Sequence, residues 1–328
     1  MRDLRLSVID RCNFRCTYCM PAEEVGQDFP WLKGSEQLTF DEMLRLVRQF
    51  VRLGVQKVRL TGGEPLLRMR LPELVEGLRG IAGIQDIAMT TNGIQLARSA
   101  ADLKAAGLDR VTVSLDALDE SVFRHMNGGF DSPTQVLEGI EAAQEAGFDN
   151  LKINTVIRRD LNLGEAIPIL EHFKGSGITV RFIEYMDVGN VNHWERGQVV
   201  PSAELIDHIS GHWPIEPVAK QHAGEVADRY RFSDGHGEIG FVSSISQPFC
   251  RPCNRSRLSA DGKLFTCLFA TEGTDLRALV RNGTSDEEIH TTIRNVWCNR
   301  SDQYSQLRWG GNTKKEQKHK IEMFYIGG

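Results

Sequence analysis

The stretch Leu4-Arg5-Leu6-Ser7-Val8-Ile9-Asp10-Arg11-Cys12-Asn13-Phe14-Arg15-Cys16-Thr17-Tyr18-Cys19 decides how this chain is read. Its first half mixes apolar and polar side chains at the period of a half-buried strand, so a strand is expected over Leu4–Asp10. Its second half sets three cysteines on the loop that leaves the strand. Three thiolates this close can hold three corners of an iron–sulfur cubane and leave the fourth iron open to a substrate, whereas an electron carrier closes all four. Structural zinc is the plainer alternative, but it takes four protein ligands, and no fourth Cys or His stands nearby at a suitable spacing.

Downstream the same unit repeats. β-Branched runs at Lys57–Leu60, Asp86–Thr90, Arg110–Leu115, Asn150–Val156 and Ile178–Glu184 read as further strands, giving six in parallel. Between them lie helical patterns at Thr39–Leu53, Leu71–Ile81, Leu96–Ala106, Ser132–Ala146 and Leu163–Phe173, several closed by a Gly. The β-α unit runs to about 30 to 35 residues, as a barrel or an open α/β sheet requires. A barrel is favoured because chemistry-bearing residues fall just after successive strands: Cys12, then Gly62-Gly63-Glu64-Pro65, then Thr90 to Asn92, then Ser114 and Asp116. With six units in place of eight the barrel is incomplete, and its open side needs a cover. The rhythm breaks near residue 187 into Gly- and Pro-rich segments with irregular strands, including His236–Ser244 and Lys263–Leu268, so a second region is placed at 187–328. It carries a second thiol triplet, Cys250, Cys253 and Cys267.

Composition bounds the rest. The 328 residues carry 39 basic and 44 acidic side chains, a formal net charge of −5, so no global basic field recruits nucleic acid or membrane and any phosphate site must be a local cation cluster. The start lacks a signal-peptide pattern and no apolar run approaches a membrane span, which predicts a soluble cytoplasmic protein. Seven cysteines in two triplets and a singleton point to metal, not to a secreted disulfide framework. Cys298, the singleton, reads as a buried apolar thiol, and the histidines His193, His212, His236 and His319 show no metal spacing. The lysines Lys314, Lys315, Lys318 and Lys320 read as a solvated edge, with anion binding as the alternative.

Cys12-x3-Cys16-x2-Cys19, with Gly62-Gly63-Glu64-Pro65, resembles the signature of the radical S-adenosylmethionine (SAM) enzymes. The second triplet and the terminal Gly327-Gly328 narrow this: the chain is similar to the GTP 3′,8-cyclase family of that superfamily, which acts in molybdenum cofactor biosynthesis. The likeness runs through Thr90-Thr91-Asn92-Gly93, Ser114-Leu115-Asp116, Lys152-Ile153-Asn154-Thr155, Arg181-Phe182-Ile183-Glu184 and Cys253-Asn254-Arg255-Ser256-Arg257, although this chain begins closer to its first strand than family members usually do.

The resemblance implies an incomplete (β/α)6 TIM-type barrel of the radical SAM class over 1–186, and over 187–328 a C-terminal Fe–S cluster domain closing its open side. It implies two [4Fe–4S] clusters, one on Cys12, Cys16 and Cys19 and one on Cys250, Cys253 and Cys267. Tyr18, Gly63, Ser114 and Met186 would surround SAM; Arg5, Arg59, Thr90, Lys152, Arg181, Arg255, Ser256 and Arg257 would hold GTP; Arg5, Gly327 and Gly328 would serve catalysis. A 5′-deoxyadenosyl radical would take the ribose C3′ hydrogen, and the C3′ radical would attack C8 of guanine to give 3′,8-cyclo-7,8-dihydro-GTP. The implied partners are a reductase or a flavodoxin- or ferredoxin-type electron donor and a downstream cyclic pyranopterin monophosphate synthase, with a homodimer left open. Two other readings stand beside it: a peptide-modifying radical SAM enzyme with auxiliary clusters, for which seven cysteines are few, and a non-catalytic Fe–S carrier, which would want four cysteines per cluster.

Overall fold

A computed structural model of the chain describes residues 1–328 apart from 27, 130–131, 221–223, 251–252 and 309–318. In the first half, strands β1 (Asp3–Ser7), β2 (Lys57–Thr61), β3 (Asp86–Thr91), β4 (Arg110–Ser114), β5 (Lys152–Ile157) and β6 (Thr179–Glu184) lie side by side, parallel and in chain order. Parallel neighbours need a crossover. The crossovers are α1 (Phe40–Arg52), α2 (Leu71–Arg79), α3 (Leu96–Ala105), α4 (Glu120–Asn127) with α5 (Pro133–Glu145), and α6 (Ala166–Phe173). Helix α1 shows how local sequence sets its own bounds. Glu42 N–H donates to Thr39 Oγ1 at 3.2 Å while Thr39 N–H donates to the Glu42 carboxylate at 2.8 Å, a reciprocal cap, and Met43, Leu46, Val47 and Phe50 form one buried stripe.

Strand alternation sorts the two faces of the sheet. Leu4, Leu6, Val58, Leu60, Ile87, Met89, Val111, Val113 and Ile153 are fully buried and belong to the main core under the helices. Their neighbours Arg5, Arg59, Thr90, Ser114, Lys152, Asn154 and Arg181 line an interior cavity instead. The barrel is therefore a polar chamber and not the packed apolar core of a closed eight-stranded barrel.

The second half extends the sheet at both edges. β10 (Arg255–Leu258) pairs parallel with β1, and β9 (Glu238–Val242) pairs parallel with β6. β11 (Lys263–Phe265) and β12 (Thr274–Asp275) continue antiparallel from β10, as β8 (Asp228–Phe232) and β7 (Ile215–Val218) do from β9. The result is an open sheet of 12 strands among the described residues, with the six parallel strands at its centre. Outside it lie α7 (Ser202–Ser210), α8 (Leu276–Arg281) and α9 (Asp286–Cys298), followed by the short α10 (Tyr304–Leu307) and α11 (Met323–Ile326). Among the described residues no helix is long and apolar enough to cross a membrane.

Several local expectations shift. The first strand ends at Ser7, not Asp10, because the chain turns inward there: the Asp10 carboxylate leaves the sheet and accepts from Leu32 N–H at 2.7 Å. Helix α4 was not anticipated, although Asp119 caps it by accepting from Ser121 and Val122 N–H. Cys298 is exposed, not buried, because α9 buries Ile289 and Ile293 and a residue five positions further on leaves that stripe. Lys314, Lys315 and Lys318 lie outside the described residues.

Candidate active site

One cavity of about 600 Å³ occupies the chamber and reaches both thiol triplets. Around its first end, Cys12, Cys16 and Cys19 sit on the loop after β1, close enough to destabilise one another's thiolates. Burial, then the Glu64 carboxylate, pushes the Cys12 thiol up to about 12; burial, then Cys12, pushes Cys16 and Cys19 up as well. Three half-buried, clustered thiols are a donor set that a positive iron–sulfur core would stabilise as thiolates. Among the described residues no three Cys, His or carboxylate groups converge on a point that would cage a single ion. A cubane takes three thiolates on three separate irons, the donor set that this loop offers.

The loop after β2 closes against this trio through backbone alone. Gly63 N–H donates to Ile9 O at 2.8 Å and Glu64 N–H to Arg11 O at 2.8 Å, so close that a Cβ on Gly63 would lie 2.1 Å from Arg11 O. The glycine is needed for this seating whatever else meets it. Glu64 is buried and accepts from Leu66 N–H at 3.0 Å, Thr91 Oγ1–H at 2.7 Å and Asn92 N–H at 2.7 Å, tying the loops after β2 and β3 together; burial raises its carboxyl to about 7. Tyr18 donates to the buried Asp116 carboxylate at 2.8 Å, and burial raises Asp116 to about 6. Ser114 and Met186 line the same end.

The other end is cationic by register. Arg257 on β10, Arg5 on β1 and Arg59 on β2 are direct lateral partners, so three guanidiniums stand in one row across neighbouring strands. Like charges carried on adjacent strands repel, and a bound counter-charge would relieve that repulsion. Burial, then Arg255, lowers Arg5 to about 9; burial, then Arg181, lowers Arg59 to about 10; burial, then Arg5, holds Arg257 well below its ordinary value. Arg59 donates to Thr90 Oγ1 at 2.9 Å and to Thr112 Oγ1 at 3.2 Å. Arg5 Nε, Arg181 Nε and Asn154 Oδ1 are buried without a hydrogen-bond partner among the described residues, as expected where a polar ligand completes the set. Lys57, Lys152, Arg181 and Arg255 also line the cavity, together with Arg110, Arg229, Arg300 and the carboxylates of Asp3 and Asp86. At this end Cys250, Cys253 and Cys267 line the cavity, and Arg255 Nη2 donates to Cys253 Sγ at 3.4 Å.

The terminus enters between the two ends. The Gly327 carbonyl accepts from Arg257 and the Gly328 main-chain oxygen from Arg5. Gly327 has φ +79° and a Cβ there would lie 2.4 Å from Thr61 Cγ2, so only glycine fits.

Most of the residues singled out from sequence thus meet in one chamber. Ser256 does not line it: its side chain is fully buried, on the face of β10 opposite Arg255 and Arg257, with Oγ 3.4 Å from Asp3 O. Lys57 was missed though its place two before Arg59 on a strand was a legible signal. Asn92 and Asp116, both placed from sequence just after their strands, do reach this end: Asn92 donates to Asn13 Oδ1 at 2.7 Å beside Cys12, while the pairing of Asp116 with Tyr18 across 98 residues had no local signal.

Comparison with known proteins agrees with this architecture. The Radical SAM superfamily model matches residues 6–173 and the Molybdenum Cofactor Synthesis C model matches residues 178–306. The chain is 52% identical over 328 residues to the GTP 3′,8-cyclase of Xanthomonas campestris pv. campestris (strain B100), covering 100% of this chain and 95% of that one. It is 49% identical over 350 residues to the GTP 3′,8-cyclase of Acidothermus cellulolyticus, covering 100% and 97%. Among solved structures, Streptococcus suis SuiB bound to S-adenosylmethionine superposes with a TM-score of 0.61 over 89% of this chain and 67% of that one at 14% identity, a likeness of fold. Radical SAM membership carries with it a [4Fe–4S] cluster and SAM. Near-full-length identity and two consecutive family matches place the chain in the GTP 3′,8-cyclase family of radical SAM enzymes.

Proposed function

We propose that this chain converts GTP to (8S)-3′,8-cyclo-7,8-dihydroguanosine 5′-triphosphate, the first step of molybdenum cofactor biosynthesis. The observation that carries the proposal is the single cavity joining both thiol triplets to the Arg257, Arg5 and Arg59 row. In this reading Cys12, Cys16 and Cys19 hold the cluster that meets SAM, and Cys250, Cys253 and Cys267 hold a second [4Fe–4S] cluster. When bound, the first cluster and SAM together supply a 5′-deoxyadenosyl radical.

The chain's own residues then position and shield. The Gly63 backbone, Ser114, Met186 and Tyr18 enclose SAM, whose sulfonium charge suits the Glu64 and Asp116 end of the chamber. Arg5, Arg59, Lys152, Arg181, Arg255 and Arg257 bind the triphosphate, since planar Arg forks take phosphate oxygens bidentately and Lys adds a point charge. Thr90 orients Arg59, and Ser256 spaces Arg255 from Arg257 so that both face inward. Gly327 and Gly328 with Arg5 form the catalytic edge. The division at 186/187 into a barrel and a C-terminal cluster domain belongs to the proposal, as do a cytoplasmic location, a reductase or flavodoxin- or ferredoxin-type donor, product transfer to a cyclic pyranopterin monophosphate synthase, and a homodimer.

The test is an anaerobic assay with SAM, dithionite and each nucleoside triphosphate, using [3′-²H]GTP to follow the abstracted hydrogen. Deuterium should appear in 5′-deoxyadenosine with GTP alone. Absence of label transfer, or SAM cleavage indifferent to GTP without a cyclised product, overturns the reading.

A further inference from the structure

The residue after Met186 gathers a set of contacts that neither thiol triplet uses. Asp187 is only 13% exposed, and Arg308 Nη2 lies 2.7 Å from its Oδ1, off the axis of a hydrogen bond, with the Arg308 side chain 6% exposed. Lys320 Nζ donates to Asp187 Oδ2 at 3.0 Å and to the Asp187 carbonyl at 2.6 Å, and Tyr304 donates its hydroxyl to the same Oδ2. The Tyr304 ring stacks on Phe269, two residues past Cys267, with centroids 4.5 Å apart and planes at 20°. The Arg308 guanidinium stands 5.3 Å from both ring centres, and the Lys320 ammonium 4.7 Å from that of Tyr304.

One carboxylate therefore ties α10 and its cap to the start of the terminal segment. From Lys320 the chain has little slack. Ile321 N–H donates to Ala270 O at 2.8 Å, Asn190 N–H donates to Glu322 Oε1 at 3.0 Å, Phe324 packs with Met20 and Val25, and the last two residues meet Arg257 and Arg5. Without the Asp187 charge, Arg308 and Lys320 would be two nearly buried cations facing each other over the same rings. The start of the segment would lose its side-chain anchor and keep there only the backbone bonds of Lys320 with Asn190, Lys320 N–H to Asn190 Oδ1 at 3.0 Å among them, while Ile321, Glu322 and Phe324 hold the residues that follow.

We propose that Asp187 is a positioning residue: its carboxylate anchors the terminal segment at Lys320 so that Gly327 and Gly328 reach Arg257 and Arg5, linking tail seating to the Met186 side of the chamber. The effect on turnover rests on the function proposed above; the anchoring does not. The experiment uses full-length, cluster-loaded protein under anaerobic conditions, with Asp187→Asn, Asp187→Glu and, should the first fold poorly, Lys320→Gln. Hydrogen exchange of the peptide covering 319–328 should quicken by about tenfold in Asp187→Asn and Lys320→Gln, with protection elsewhere unchanged. Product kcat should fall by about tenfold with KM for GTP and SAM within about twofold, iron content should stay at the wild-type level, and Asp187→Glu should restore part of both. Unchanged exchange of the terminal peptide overturns the proposal, and so does a loss of protection or iron across the whole chain, which would make Asp187 a general stability residue. If the wild type makes no cyclised nucleotide, the functional reading falls while the exchange arm still decides the anchor.

Discussion

The two thiol triplets offer the same three-sulfur donor set in different electrostatic settings, the first beside carboxylates and the second beside Arg255 and Arg257. Around Cys12, Cys16 and Cys19 the charged neighbours are the carboxylates of Glu64, Asp116 and Glu322 with one cation, Arg15, and every thiol is pushed upward, by burial first and then by negative charge. At Cys253 burial also pushes upward, but the Arg255 charge and its hydrogen bonds outweigh it, with Arg257 adding to the same side, and the thiol ends below its ordinary value, whereas burial raises Cys267 of the same triplet. The difference teaches how one cavity can sort two co-substrates. An acidic end favours a sulfonium cation, a guanidinium-rich end favours a triphosphate, and a low interior dielectric amplifies both preferences. Identical ligand chemistry can thus serve different tasks because the strands behind it carry different charges.

The hardest test of that comparison removes one sulfur from each end. Cys16→Ala should lose about half of an expected complement of about eight irons and all SAM cleavage, whereas Cys253→Ala should keep SAM cleavage and lose the cyclised nucleotide. Iron analysis with quantification of 5′-deoxyadenosine and product checks both. Normal product from Cys253→Ala would collapse the division of tasks.

Next in size is the cationic row. Arg257→Ala removes a charge-assisted partner for phosphate and should weaken GTP binding by about ten- to a hundredfold, or roughly 1.5 to 3 kcal/mol, with iron content intact. Calorimetric titration measures it, and label transfer from [3′-²H]GTP should recover partly at high GTP.

A smaller, pH-dependent effect follows from the two lysines. Burial first, then Arg59 for Lys57 and Arg181 for Lys152, brings each ammonium down to about 8. A bound polyphosphate would raise both values, so affinity is fullest below about pH 8 and declines as pH rises through the lowered pKa of the free protein. Between about pH 7.5 and 9 the fall should be about three- to tenfold, and Lys152→Arg should lessen it because a guanidinium titrates higher than the ammonium it replaces, with Lys57 left to titrate. A pH-independent affinity would place the phosphates away from these lysines.

The smallest expected effect concerns Ser256. Its hydroxyl lies on the far face of β10, so Ser256→Ala should change GTP affinity by less than about twofold while Arg255→Ala, one position away, changes it strongly. A large Ser256→Ala effect would mean that the register of β10 in the complex differs from β1 pairing at Leu4 and Ser256.

Sequence by itself determined whatever is written in local periodicity and close spacing. The six parallel strands and most of their helices follow from patterns spanning a dozen residues, the capping of α1 follows from Thr39 and Glu42, and the gathering of Cys12, Cys16 and Cys19 on one loop follows from their close spacing. Helix α9 carries an equally legible local signal in its Ser285 and Glu288 reciprocal cap. Only the tertiary structure decided which distant residues share a wall. Arg5 and Arg257 are neighbours because β10 adds in parallel to the edge of β1, a register that no local pattern encodes, and Asp187 meets Lys320 across 133 residues of chain. Periodicity is a property of a segment and can be read from it. Lateral register and charge pairing are properties of where whole segments pack, set by burial of the entire sheet, and they appear only once the chain has closed on itself.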